Sequence, residues 1–167
     1  MDRSEQGNNR FQILVFGVSG VGKTTLVKQL REVSAHVFGQ EVHQGRDGSY
    51  DNSSSEKFIF QEIVQFQFPS FKKLAIQRSD AFILMYDVDD HVSFDYVVSF
   101  YAEIKHVKGE NAPIFVVGNR TNIPGVCDAQ YEIDNCDINE NLDSSHIKLC
   151  ALTGDGVKDL FSYGSPC

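Results

Sequence analysis

Near the start of the chain, Gly17-Val18-Ser19-Gly20-Val21-Gly22-Lys23-Thr24 fits the spacing G-x-x-x-x-G-K-[ST]. Glycines at such positions let the backbone come close to a ligand, so that successive N–H groups can wrap phosphate oxygens. Lys23 would neutralise the outer phosphates, and the hydroxyl of Thr24 is a hard oxygen ligand suited to Mg²⁺. The candidate phosphate contacts are therefore Ser19, Gly20, Val21, Gly22, Lys23, Thr24 and Thr25, with Thr24 also the candidate metal ligand. A strand-to-helix turn can carry the same letters by chance, so the flanking elements decide whether the match means phosphate binding.

Those elements are written as periodicity. Phe11 to Val18 is a short apolar run that reads as a buried strand, and Leu26, Leu30 and Val33 then recur at helical spacing from Gly22 onward. Strand, glycine loop and helix thus stand in the order that the phosphate loop requires. Ala81 to Val88 and Pro113 to Asn119 are further buried strands, Ile147 to Leu152 is another, and Phe58 to Phe68 alternates well enough for a strand ended by Pro69. Helices are expected at Phe71 to Gln77, Val92 to Val107 and Val157 to Tyr163. Residues 39–57 read as a long polar loop with at most a short strand near Glu41 to His43, and residues 126–145 are polar with weak helical character. Strands separated by helix-length segments imply an α/β sheet built from right-handed parallel units. In such sheets ligands bind beyond the carboxyl ends of the strands, where the loops at Gly17, Asn119 and Cys150 converge.

The chain has 167 residues, a size that suits one domain. We divide it into a polar tail at 1–10, a domain at 11–163 and a short end at 164–167. A net charge of -8 argues against a nucleic-acid surface, which needs a basic face, and against anionic lipid headgroups. The four cysteines include no C-x-x-C pair, which suits a reducing, cytoplasmic setting. Neither a membrane-length apolar run nor a lipidation motif is present, so no membrane anchor is expected.

The phosphate loop, then Asn119-Arg120-Thr121-Asn122, then Cys150-Ala151-Leu152-Thr153-Gly154-Asp155-Gly156-Val157-Lys158-Asp159-Leu160-Phe161 follow one another in an order that resembles the Ras-like small GTPases. Gln67-Phe68-Pro69 makes the Di-Ras members of the Ras branch look nearest. The resemblance implies a three-layer P-loop NTPase fold, α/β, with a mostly parallel sheet of about five or six strands and helices on both faces. It implies GTP or GDP with Mg²⁺ as ligands, effector or regulator proteins as partners, and a monomer. The family's N-K-x-D becomes Asn119, Arg120, Thr121, Asn122, and its S-A-K becomes Cys150, Ala151, Leu152. By that resemblance Asn119 bonds the base and ties the phosphate loop to the neighbouring strand end. Arg120 lies over the ring, and Ala151 presents its N–H to the guanine oxygen. Asn122 replaces a carboxylate by an amide, which has one acceptor and sets a donor beside it, so guanine selectivity should weaken. Phe38 is a candidate for covering the ring edge.

Departures from the family are concentrated in its switch motifs. No D-x-x-G occurs, and where it belongs the chain reads Gln61-Glu62-Ile63-Val64. Gln65 takes, by spacing, the place of the family's water-positioning Gln, yet no catalytic residue is assigned on that basis. Between Thr25 and Thr121 there is no threonine, so the family's first-switch Thr has no counterpart, and Ser53 is more simply a solvated loop residue. Ser19 would stand in the path of an incoming arginine. Gly164 and Pro166 stop the last helix after about two turns, where the family has a longer one. The leading expectation is a GTP-binding signalling protein with slow hydrolysis. The alternative is a pseudo-GTPase interaction module, and a small P-loop kinase is a third reading.

Overall fold

Apolar runs long enough to be buried on both faces become the inner strands. The computed structural model describes residues 10–38, 58–63, 69–121, 142 and 145–164. In chain order these form β1 (Phe11–Phe16), α1 (Lys23–Phe38), β2 (Phe58–Ile63), α2 (Pro69–Arg78), β3 (Ala81–Asp87), α3 (His91–Lys108), β4 (Ile114–Asn119), β5 (Ser145–Leu149) and α4 (Val157–Gly164). The strands pair in the order β2-β1-β3-β4-β5, and every pairing is parallel.

Side chains alternate across this sheet, so each strand feeds two cores. Leu14, Phe16, Phe82, Leu84 and Tyr86 point to one face and pack with Ile76, Phe100 and Ile104 from α2 and α3. Val15, Ile83, Met85 and Val117 point to the other and pack with Leu26, Leu30 and Leu160 from α1 and α4. The result is a sheet between two helical layers, the α/β arrangement expected from the sequence. Five strands are found among the described residues.

Several boundaries differ from the sequence reading. Helix α1 runs five residues past Val33, to Phe38. The strand expected to end at Pro69 is described only to Ile63, and Pro69 instead opens α2, where its missing N–H costs nothing and its fixed φ suits a helix start. Helix α3 starts one residue early because the Asp90 side chain accepts from the Val92 N–H as an N-cap. The last strand is Ser145–Leu149 rather than Ile147 to Leu152. After Leu149 the backbone turns, with Cys150 N–H bonded to Asp155 O at 3.0 Å and Gly154 N–H to Cys150 O at 2.9 Å. The apolar letters of Ala151 and Leu152 imitate a strand, but Gly154 and Gly156 at positive φ complete a turn instead. The readings for residues 39–57, Gln65, Asn122 and most of 126–145 lie outside the described residues.

Candidate functional site

The carboxyl ends of β1, β3, β4 and β5 bring three segments together: residues 17–24, 119–121 and 150–156. The first is shaped by close packing. A Cβ on Gly17 would stand 2.6 Å from the Met85 carbonyl oxygen and 2.8 Å from Val21 Cγ2. Gly22 has φ +93, and a Cβ there would collide with the Asn119 side-chain nitrogen. Only glycine meets both demands at that position.

Helix α1 begins immediately after Gly22, with Leu26 N–H donating to Gly22 O at 2.9 Å. The amides ahead of Leu26 have no acceptor within the helix, and no acidic residue occupies the first turn. A donor-rich, positively polarised helix end therefore faces the loop, which is the electrostatic requirement for a phosphate group. Lys23 is buried with its Nζ donating to Val18 O at 2.7 Å. Burial pushes its pKa down, and the Glu62 carboxylate partly opposes that shift. Ser19 and Gly20 are exposed at the loop crest, and Val21 is buried beneath it.

Asn119 is the buried clasp between the segments. Its Nδ2 donates to Val21 O at 2.8 Å, and its Oδ1 accepts from Ala151 N–H at 2.9 Å. One side chain thus joins the phosphate loop, the end of β4 and the loop after β5. Beside it, the Arg120 amide donates to Leu149 O at 3.0 Å, and the Arg120 side chain is exposed. Thr121 Oγ1 bonds the Asp87 carboxylate, whose other oxygen accepts from the Asp89 amide at 3.0 Å. Leu152 is 67% exposed at the rim. The partly exposed Cys150 thiol has a pKa lowered chiefly by hydrogen bonds from the Thr153 hydroxyl and amide. Phe38 closes α1.

The sequence reading missed Glu62. Reaching from β2, its Oε2 accepts from Thr24 Oγ1 at 2.7 Å. By spacing, the family's aspartate falls on Gln61, but the parallel register sets Glu62 opposite Val15, one residue before β1 ends. The available signal was that Glu62 is the single carboxylate between Phe58 and Pro69. Two hard oxygen donors on separate elements meet here, a chemistry that fits Mg²⁺, which also draws on phosphate and water for its remaining ligands.

Comparison with known proteins agrees with this layout. The profile of the Ras family matches residues 12–164. The chain belongs to that family of small GTPases. Its similarity extends to GTP-binding protein Di-Ras1 of Homo sapiens, 30% identical over 168 residues, covering 94% of this chain and 80% of that protein. GTP-binding protein Di-Ras2 of Pongo abelii is 32% identical over 121 residues, covering 70% of this chain and 60% of that protein. Ras-like protein 1 of Saccharomyces cerevisiae is 26% identical over 167 residues, covering 93% of this chain and 53% of that protein. The chain therefore spans about 60% of the length of the Di-Ras2 relative. No helix among the described residues is long and apolar enough to cross a membrane.

Proposed function

We propose that residues 11–163 form a nucleotide-binding domain that takes GTP or GDP with Mg²⁺ and hydrolyses GTP slowly. The observation that carries this reading is the Asn119 clasp, which supports a preformed site by fixing the phosphate loop against the base loop. The amides of Ser19 to Thr25 and the Lys23 ammonium would take the phosphates, with Lys23 leaving Val18 O for an outer phosphate oxygen. Asn119, Arg120, Asn122 and Ala151 would frame the base, flanked by Cys150 and Leu152. Ala151 N–H is directed at Asn119, so binding a guanine oxygen there requires that it be shared or exchanged. Thr24 and Glu62 would hold Mg²⁺, whose charge neutralises the phosphates. Hydrolysis is slow in this reading because phosphoryl transfer relies on positioning, and neither a D-x-x-G glycine nor a first-switch Thr is written in the chain. The net charge of -8 fits a monomer, the scattered cysteines fit a reducing, cytoplasmic setting, and membership of the Ras family supports a signalling role.

A second reading is a pseudo-GTPase interaction module, favoured by the Thr24–Glu62 bond, which occupies the metal-side hydroxyl from within the chain. The two separate in one experiment. The nucleotide retained by the purified protein is identified after denaturation, and GTP, GDP, XTP and ATP are titrated with Mg²⁺. Stoichiometric guanine nucleotide, lost in Lys23→Ala, is the expected result. Preference for XTP would trace to Asn122, and failure of all four to bind would leave the interaction module.

A further inference from the structure

At the carboxyl end of β3, one carboxylate gathers two donors from different parts of the chain. Asp87 accepts the Asp89 N–H at 3.0 Å through one oxygen and the Thr121 hydroxyl through the other. Its own backbone is fixed by the start of α3. The Asp87 N–H donates to Ser93 Oγ at 3.0 Å, and the Asp90 N–H donates to Asp87 O at 3.0 Å. The buried Ser93 hydroxyl donates in turn to Asp90 O at 2.6 Å, and Asp90 is the N-cap of the helix. The carboxylate is therefore held in place by groups other than Thr121.

Thr121 follows Asn119 and Arg120 where the chain leaves β4. The two strands run in register there, with Asp87 opposite Asn119. Each residue of the 119–121 segment is tied to a different neighbour: the Asn119 side chain to Val21 and Ala151, the Arg120 N–H to Leu149 O, and Thr121 to Asp87. The Val88 N–H adds a bond to Asn119 O at 3.1 Å. Of these ties, only the one from Thr121 to Asp87 joins two side chains, so it exists through the choice of residues at both ends. The choice of an acid is specific. The Asp89 amide and the Thr121 hydroxyl both donate, and a carboxylate accepts from both, whereas an amide offers one acceptor and sets a donor beside it. Hydrogen bonds to a carboxylate are also roughly twice as strong as neutral ones. Both residues are partly buried, so water replaces this bond less readily than an exposed one.

We propose, resting on the nucleotide reading above, that Asp87 is a positioning residue for the base. By holding Thr121 it sets the place of the 119–121 segment, and with it the Arg120 side chain that the base lies against in that reading. Asp87 touches neither base nor phosphate and acts through Thr121. The phosphate contacts belong to residues 19–25, where Leu26 N–H bonded to Gly22 O starts α1, and they do not depend on this bond. Its loss weakens the grip on the base and spares the grip on the phosphates.

The test compares GDP with inorganic pyrophosphate, which carries phosphates and no base, on the full chain with Mg²⁺. In Asp87→Ala and in the isosteric Thr121→Val, the ratio of the pyrophosphate Kd to the GDP Kd should fall about tenfold. The double variant should show no more than either single change, because both remove the same bond. Thr121→Ser restores the hydroxyl and should return the ratio to within about twofold of the parent. A change that merely loosens the fold weakens both ligands alike, so an unchanged ratio would overturn the proposal. Additive effects in the double variant, or Thr121→Ser behaving as Thr121→Val, would do the same. A parent chain that binds neither ligand would sink the function proposed above and this positioning role with it, whereas a parent that binds GDP beside variants of unchanged ratio would sink the positioning role alone.

Discussion

On the β4–β5 flank of the candidate nucleotide site, sheet and phosphate loop are joined through a buried amide, Asn119, which spends its nitrogen and oxygen on two backbone groups. On the β2 flank, the contact is between two exposed side chains, Thr24 and Glu62. The geometries are alike, near 2.8 Å, but their energetic meaning differs. A buried acceptor or donor that loses its partner keeps the full cost of desolvation, whereas an exposed one turns to water. The first flank is therefore scaffold, and the second can be rearranged at little cost, as the proposed Mg²⁺ site would require. Family members are expected to switch at the same flank, since a segment can respond to a ligand only if its alternatives lie close in free energy.

The comparison breaks most visibly at Asn119. Asn119→Ala leaves Val21 O and Ala151 N–H without their partner, and unfolding by urea should show a loss of about 2–4 kcal/mol together with loss of nucleotide binding. A loss below about 1 kcal/mol would mean that the clasp is ornamental and that water replaces it. At the opposite flank, Glu62→Gln keeps an acceptor for Thr24 but removes the charge. Fold stability without Mg²⁺ should stay within about 0.5 kcal/mol of the parent. The Mg²⁺ concentration needed to retain bound nucleotide should rise about tenfold. An unchanged Mg²⁺ requirement would reduce Glu62 to a surface hydrogen bond and strengthen the interaction-module reading.

A smaller effect tests the outer edge of the scaffold flank. Fully buried Tyr86 bonds His146 Nε2 at 2.9 Å across β4, and a Cβ on Gly118 would stand 2.7 Å from the Tyr86 hydroxyl. Burial, aided by Lys148, lowers the His146 pKa. The unfolded chain then binds more protons than the folded one as pH falls through the ordinary imidazole value near 6.5. This contribution to stability is present above that pH and is lost on acidification towards the lower folded value. His146→Gln retains an acceptor for Tyr86 and should flatten the acid limb of Tm against pH, by on the order of 1–2 °C. An identical acid limb in the variant would place the titration elsewhere.

How much of this could be read beforehand follows from where the signals are local. The phosphate loop combines a buried strand, glycines and a helix within a short stretch, and α/β class follows from continuous apolar runs such as Ala81 to Val88. Glu62 could not be assigned in this way, because its neighbour Thr24 is brought to it by the β1–β2 register, and a parallel register is not encoded in either strand alone. The β5 boundary failed for a related reason. An edge strand with one face partly open has a weak apolar pattern, while the turn after it carries Ala151 and Leu152.

The parallel pairing of every described strand has a further consequence, for how the molecule forms. Partners in each strand pairing lie roughly 30 to 70 residues apart, and no described pairing is a hairpin that could zip from a turn. Loop closure must therefore precede the contacts that reward it, so folding should belong to the slow, nonlocal class. The Asn119 clasp spans 98 residues and can exist only once β1, β3 and β4 are assembled. A ligand that requires the clasp binds the finished fold and none of its precursors. It would pull newly made chains towards completion by mass action, with a stabilisation that grows with the logarithm of ligand concentration.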